Sequence, residues 1–448
     1  MGTAPVRRLL LSMSGPMMVS MLIQALYNVV DSMFVAQVSE TALTAVSLAF
    51  PMQNLMVAVA TGTGVGVNAL LSRNLGEKHF AMADRTAGNA ITLGFLSYLV
   101  FAVLGLTCTR LFFTMQVEDP TTIALGYDYL FYITVLSFGL FGQVLFSRLL
   151  QSTGRTFYSM VIQIVGAVLN IVLDPIMIFG LGPCPAMGVK GAALATVISQ
   201  VVGTVLGIYY NLRKNPDIRF SRAALRPSLP VVSRIYSVGV PSILLQTVGS
   251  ILTFGLNQIL VAFSETATAV YGIYFKLQGF AFLPIIGMNN GMVPIIAYNF
   301  GAKKPDRVKK TIKLAVCVAV CIMAVGFALF ELVPGTLLSL FDASPDMLAI
   351  GKPALRIIGI HFPLAGFCII AGSVCQAIGN PMYSLTVSVC RQLVVLLPAA
   401  WLLSRTGNLD LVWLAFPIAE LMSLTLSSIF LRKTIKRADQ IMAQPVKR

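Results

Sequence analysis

Residues 15–42 read GPMMVSMLIQALYNVVDSMFVAQVSETA, and residues 240–267 read VPSILLQTVGSILTFGLNQILVAFSETA. The two stretches share one register: Pro16 stands 225 positions before Pro241, and Ser39-Glu40-Thr41-Ala42 stands 225 before Ser264-Glu265-Thr266-Ala267. Outward from there the offset holds without a gap. Gln53 meets Gln278, Gly62 and Gly66 meet Gly287 and Gly291, and Asn74, Gly76 and Lys78 meet Asn299, Gly301 and Lys303. Further on, Pro120 meets Pro345, while Gln151, Gly154, Tyr158 and Ser159 meet Gln376, Gly379, Tyr383 and Ser384. The chain is a tandem duplication.

Each copy opens with an apolar run of roughly twenty or more residues, enough helix to cross a hydrocarbon core about 30 Å thick. Such runs recur along the whole chain. Hydrophobic residues make up 57% and charged residues 11% of 448 positions, against about 25% charged in a soluble domain. So little charge cannot cover a water-facing surface, and the bilayer is the expected solvent. The first run follows Arg7 and Arg8 and continues to Val38. It is too long for the apolar part of a cleavable signal and lacks a clear small-residue cleavage site, so it is read as a permanent helix.

Spans are predicted at 15–38, 43–71, 86–113, 123–149, 157–181, 191–212, 235–263, 268–300, 311–332, 347–378, 382–403 and 411–431, about twelve in all. The repeat length holds six of them, an even number, so both copies begin on the same side of the membrane and are related by an axis along its normal. The expected fold is an all-α integral membrane protein of twelve transmembrane helices in two pseudo-symmetric six-helix bundles, a 6+6 parallel repeat. Its parts are an N-terminal lobe 1–212, a basic cytoplasmic connector 213–234 and a C-terminal lobe 235–448. Rocking of two bundles about a central cleft is the simplest alternating-access motion such a duplication permits.

The 32 Lys and Arg outnumber the 17 Asp and Glu, for a net charge of +15. They cluster at alternate helix ends. Arg7 and Arg8, then Arg73, Lys78 and Arg85, Arg148 and Arg155, the run 213–234, the run 303–313 and the tail 432–448 share one side. The opposite loops carry Glu40, Glu118, Asp119, Glu265, Asp342, Asp346 and Asp410. By the positive-inside rule the basic side is the cytoplasm, and both termini lie there. The charge is topological and faces lipid headgroups, which argues against a nucleic-acid partner.

Of the seven cysteines, Cys317, Cys321, Cys368, Cys375 and Cys390 fall inside spans and are read as small apolar core residues. Cys108 and Cys184 lie near outer helix ends, where a disulfide is conceivable but not indicated. Cys317 and Cys321 share a helix face without a His or acidic partner at ligand spacing, so no metal site of that kind is expected. Gly62, Gly64 and Gly66, inside an apolar helix with no phosphate-binding Lys after them, indicate close helix packing rather than a nucleotide loop.

A charged side chain at mid-bilayer costs about 2.5–3.5 kcal/mol on insertion scales, so an acidic residue deep in a span needs a reason. Asp31 closes the run Gln24, Tyr27, Asn28, Asp31 on the first span, a spacing of seven that returns to one helix face. Asp174 shares a stripe of the fifth span with Gln163 and Asn170, and Pro175 leaves the Ile171 carbonyl without its helical partner. Carboxylate, amide and carbonyl oxygens suit a hard cation such as Na⁺, and a carboxylate in a low-dielectric cleft can equally carry H⁺. Gln24, Tyr27, Asn28 and Gln163 are candidates to line a substrate cleft. So are Lys276 and Arg391, read as buried basic residues, and His361, placed within the tenth span. Glu331 and Glu420 lie close to helix ends, and Asp128, between Tyr127 and Tyr129, is read as solvated.

With these features go YNVVDSMFV (27–35), QSTG (151–154), LNIVLDP (169–175) and GVKGAALAT (188–196), then FKLQ (275–278) and QAIGN (376–380) in the second copy. Together they resemble the multidrug and toxic compound extrusion (MATE) family, and within it the bacterial branch of MepA-type exporters. The resemblance covers nearly the whole chain. It implies a V-shaped, twelve-helix antiporter that exchanges H⁺ or Na⁺ for amphiphilic, often cationic drugs across the bacterial inner membrane, without a cofactor. A monomer is expected. Carried over by position, Asp31, Asn170, Asp174 and Thr196 form the first-lobe cation site. Some relatives place an acidic residue in the middle of the seventh span, where this chain has only Gln246, Gly249 and Asn257, so the first lobe is favoured.

The alternative transport reading is a flippase of a lipid-linked or polysaccharide precursor. It calls for a strongly cationic cleft, for which Lys276, Arg391 and Arg356 qualify. An enzyme is not expected, since His79 and His361 are the only histidines and neither has an aspartate at catalytic spacing. The sequence does not choose between H⁺ and Na⁺.

Overall fold

The computed structural model describes residues 1–444 other than Pro183, Arg222 and Asp342. Asp342 of the acidic loops, Arg222 of the connector and residues 445–448 of the basic tail therefore lie outside the described residues. The first copy runs through α1 (Val6–Val38), α2 (Glu40–Gly76), α3 (Phe80–Thr114), α4 (Pro120–Val135), α5 (Phe138–Ser152), α6 (Thr156–Phe179) and α7 (Val189–Lys214). The second runs through α8 (Leu229–Val261), α9 (Glu265–Gly301), α10 (Pro305–Leu332), α11 (Pro334–Ser339), α12 (Pro345–Gly359) and α13 (Phe362–Ile378). It ends with α14 (Pro381–Val389), a π-helical stretch Cys390–Leu396, α15 (Leu397–Ser404), α16 (Leu409–Trp413) and α17 (Ala415–Ala443).

The duplication is visible in the detail of the helix ends. Ser39 Oγ accepts the Ala42 N–H at 3.0 Å and so caps α2, and Ser264 Oγ accepts the Ala267 N–H at 3.0 Å and caps α9. Each satisfies a donor that the first helical turn leaves free. Both helices are 37 residues long, and both are followed by a lysine in the left-handed region, Lys78 (φ 60°) and Lys303 (φ 53°). Ser39→Ala and Ser264→Ala are each expected to lower stability by about 1 kcal/mol, read as a fall in the thermal unfolding midpoint of the purified protein.

Among the described residues, ten helical segments are long and apolar enough to cross a membrane, and the bent pairs α4 with α5 (44°) and α12 with α13 (48°) bring the number to twelve. The spans 123–149 and 347–378, expected as continuous helices, are thus broken, and the breaks occupy matching places in the two copies. Pro363 in the first turn of α13 explains the second break, because its ring would clash with a helix continued from α12. No proline accounts for the first.

Two compact units emerge, and their boundaries fall inside α1 and α8, just after Pro16 and Pro241. The N-unit is Val19–Ile243; the C-unit is Met1–Met18 with Leu244–Arg448. In the N-unit the first turns of α8 lie against glycines of α2: a Cβ on Gly66 would stand 2.1 Å from the Ile235 carbonyl oxygen, and one on Gly62 would stand 2.4 Å from Ile243 Cγ1. The C-unit repeats the arrangement with α1 on α9, where a Cβ on Gly291 would stand 2.6 Å from the Ser14 nitrogen. Close backbone approach is what these small residues permit.

The N-unit core includes Phe101 stacked on Phe141 at 5.7 Å and the buried Phe113, Leu130 and Ile178. The connector is tied to α3: Asn89 Oδ1 accepts the Ser228 N–H at 2.8 Å, and Thr92 Oγ1 donates to the Leu225 carbonyl at 2.7 Å. In the C-unit, Tyr274, Phe330, Phe362, Trp413 and Phe416 are among the buried aromatic residues of a larger core. Large apolar side chains such as Phe95, Leu106, Phe254 and Val325 are exposed on helix exteriors, as a lipid-facing surface requires.

Candidate functional site

The N-unit concentrates its buried acid where α1, α6 and α7 meet. Asn170 and Asp174 are four residues apart on α6, so both face one side of the helix. Asp174 is 0% exposed, and Asn170 and Thr196 of α7 are also buried. The amide of Asn170 lies 3.2 Å from Thr196 Oγ1. In the orientation that gives both of its amide atoms a partner, its Nδ2 donates to Asp174 Oδ2 at 3.0 Å and its Oδ1 accepts from Thr196. From α1, Asp31 brings its carboxyl within hydrogen-bonding reach of Asp174. Asp31 Oδ1 and Asp174 Oδ1 are buried without a hydrogen-bond partner.

Among the described residues neither carboxyl forms an ion pair with a Lys, Arg or His. Two bare negative charges about 4 Å apart repel by roughly 4 kcal/mol even at an effective dielectric constant of 20. The arrangement can therefore accept one positive charge, a proton shared between oxygens or a hard cation ringed by them. Chemically it is a set of oxygen ligands rather than a catalytic constellation.

Tyr27 adjoins this pair of acids. Gln24 and Asn28 are exposed on α1. Gln163 shares the stripe on α6, but eleven residues of helix set it about 16 Å along the axis from Asp174, in a different place. Sequence reasoning missed Tyr129, which is buried beside Asp31 and Tyr27 and accepts a hydrogen bond from Gln53 Nε2 at 3.0 Å. Its neighbour Asp128 is exposed. One residue of helix turns a side chain by about 100°, and this separates the two.

Arg148 also departs from expectation. Placed by sequence among the loop cations, it is buried on α5, with Nη1 donating to Gln151 Oε1 at 3.0 Å. Gln151 Nε2 in turn donates to Ser159 Oγ at 2.9 Å. Gly64 opposite leaves room for the side chain, since a Cβ there would stand 2.7 Å from Arg148 Cγ. The second copy keeps the matching bond, Gln376 Nε2 to Ser384 Oγ at 3.0 Å.

In the C-unit, Lys276 is exposed, not buried, with its ammonium 5.8 Å from the Phe341 ring centre. Arg391 is half-buried and pairs with Glu420 at 3.3 Å. His361 falls within the expected tenth span, at the break between α12 and α13. It is 1% exposed and packs against Phe282, Phe362 and Phe416, so it lines no open cleft. Cys368 and Cys375 are buried, but Cys317 and Cys321 are exposed on α10, which corrects their reading as core residues.

The MatE family model matches the chain twice, over residues 16–176 and 241–402, and the two matches start at Pro16 and Pro241. The chain belongs to the MatE family. As a MatE-family protein it is a multi-pass membrane transporter and not an enzyme. It is 28% identical over 411 residues to the multidrug export protein MepA of Staphylococcus haemolyticus, covering 91% of this chain and 89% of that one. It is 26% identical over 420 residues to an FAD transporter of Shewanella oneidensis, covering 94% and 93%. An outward-facing multidrug resistance MATE family transporter of the MOP superfamily superposes with a TM-score of 0.91 at 25% identity, covering 98% of this chain and 97% of that one. A MOP superfamily transporter from Pyrococcus furiosus, described as having a binding pocket of reverse polarity, gives 0.87 at 26% identity over 97% of both chains.

Proposed function

We propose that this MatE-family transporter exports amphiphilic, cationic xenobiotics across the bacterial inner membrane in exchange for H⁺ or Na⁺, by alternating access, and that Asp31 and Asp174, supported by Asn170 and Thr196, bind the coupling cation. One observation carries the reading: two acids on different helices face each other in a buried seam with no basic partner among the described residues. In the proton-loaded form one carboxyl donates to the other, and Asn170 supplies an N–H to Asp174. In the Na⁺-loaded form the amide turns its oxygen inward, so that carboxylate, amide and hydroxyl oxygens surround the ion. Cation and drug exchange only if each favours an opposite-facing state, since a ligand shifts that balance by its differential affinity alone. One charge moving through about 100 mV supplies roughly 2.3 kcal/mol, and a pH or Na⁺ gradient adds to it. The protein acts as a monomer with both termini in the cytoplasm.

The flippase reading finds less support. Of its three cations, Arg391 is paired with Glu420, Arg356 lies 4.0 Å from the Glu331 carboxylate, and Lys276 is exposed. Reconstitution into proteoliposomes with pH and Na⁺ gradients imposed separately tests the proposal. One of the two gradients drives accumulation of a fluorescent cation against its concentration gradient; transport indifferent to both excludes exchange.

A further inference from the structure

The C-unit carries a second polar site in the seam that corresponds, through the repeat, to the Asp174 site. In the first copy the last two spans are α6 and α7, and Asn170 meets Thr196 between them. In the second copy the last two spans are Pro381–Ser404 and the span ending in α17, and Arg391 Nη1 donates to Glu420 Oε2 at 3.3 Å between them. The 225-residue offset places Arg391 opposite Gly166 and Glu420 opposite Ala195, about one helical turn from the level of Asn170. Arg391 and Gln392 belong to the π-helical stretch, which ends just before Pro398. That proline cannot donate to the Val394 carbonyl, and the wider turn sets the direction in which Arg391 faces. Single π turns inside α-helices are frequent at functional positions.

Arg391 and Glu420 open onto a cavity of ≈ 210 Å³, with Ser388 and Ser423 on its polar side and Leu245 and Phe282 on its apolar side. Glu420 is almost fully enclosed, at 2% side-chain exposure, whereas Arg391 is 25% exposed. Cys368 lines the same cavity as Glu420. Among the described residues the 3.3 Å contact is the only side-chain hydrogen bond of Arg391. A guanidinium offers five N–H donors and pairs best with a carboxylate through two of them. Most of its donor edge is therefore left for another oxygen group.

The Arg391 and Glu420 pair is neutral overall. An anion added at Arg391 would leave a net negative charge in a poorly solvated place, and a cation added at Glu420 would leave a net positive one. A ligand carrying both charges keeps the site neutral. The short separation of the pair suits a carboxylate and an ammonium attached to one carbon. The cavity is smaller than the 300–1,000 Å³ of a pocket for a whole drug-sized molecule, and it fits a compact head with one ring.

We propose that this cavity binds the zwitterionic α-amino-acid head of a solute, its carboxylate on Arg391 and its ammonium on Glu420, with the rest of the molecule against Leu245 and Phe282. Nothing in this proposal depends on cation coupling at Asp174, and binding is its readout. The purified full-length protein in lipid nanodiscs is titrated calorimetrically with L-phenylalanine, 3-phenylpropionate and 2-phenylethylamine. Phenylalanine is expected to bind at least about tenfold more tightly than either analogue, because each analogue leaves the poorly solvated site with a net charge. Arg391→Gln and Glu420→Gln each weaken phenylalanine by at least about tenfold. Val387 also lines the cavity; Val387→Trp fills it, leaves the ion pair in place and abolishes binding, which decides the matter should the charge variants fail to fold. Equal or tighter binding of a single-charge analogue, no binding of phenylalanine, or undiminished binding in folded Val387→Trp overturns the proposal.

Discussion

Asp174→Asn abolishes gradient-driven export of a fluorescent cation from proteoliposomes, a loss of at least about a hundredfold, which corresponds to roughly 2.7 kcal/mol in the transport barrier. The substitution keeps the shape of the side chain and an oxygen to accept from Asn170 Nδ2, the bond of 3.0 Å that orients the amide. What it removes is the second charge of the pair. Asp31 alone then holds its ion less well, and loading with a cation no longer distinguishes two facing states. The unfolding temperature should not fall, because Asp174 is 0% exposed and taking away one of two adjoining buried acids relieves repulsion. A folded Asp174→Asn protein that exports at the normal rate would remove Asp174 from the mechanism.

Gly66→Ala costs about 1–3 kcal/mol or more, enough to reduce the yield of folded protein severalfold. Its new methyl group would stand 2.1 Å from the Ile235 carbonyl oxygen and 3.2 Å from the Gly239 nitrogen, both backbone atoms that no rotamer change can move aside. Gly291→Ala, its counterpart in the second copy, meets the Ser14 nitrogen at 2.6 Å and should do less harm. Gly279→Ala supplies the contrast. Nothing lies within 4 Å of a Cβ there, inside α9, so alanine should raise stability by up to about 1 kcal/mol through its better helix propensity. Thermal unfolding of the three variants in one detergent gives the order; a Gly66→Ala protein as stable as the parent would contradict the close packing of α2 on α8.

The duplication was legible because its 225-residue register runs without a gap, and the spans because each depends on residues near one another in sequence. Asp174 and Asn170 were legible for the same reason, being one turn apart on α6. Contacts between distant helices were not. Asp31 reaches Asp174 across 143 positions, Arg391 reaches Glu420 across 29, and no periodicity within one helix signals either pair. Thr196 was placed only through the family resemblance. Arg148 looked like a loop cation because it ends an apolar run, yet its burial depends on Gly64 of another helix. Lys276 and Cys317 erred in the opposite direction: an apolar run shows that a residue is in the membrane, but not which face of its helix meets lipid. The break beside His361 was missed because Pro363 was passed over within a long apolar stretch.

The most direct test of cation binding by Asp31 and Asp174 is equilibrium loading of the purified protein, with proton release measured on adding drug and ²²Na⁺ binding measured in parallel. One of the two assays should register a single cation for each protein molecule, and that signal should vanish in the double variant Asp31→Asn, Asp174→Asn. An undiminished signal in the folded double variant would place the coupling cation elsewhere.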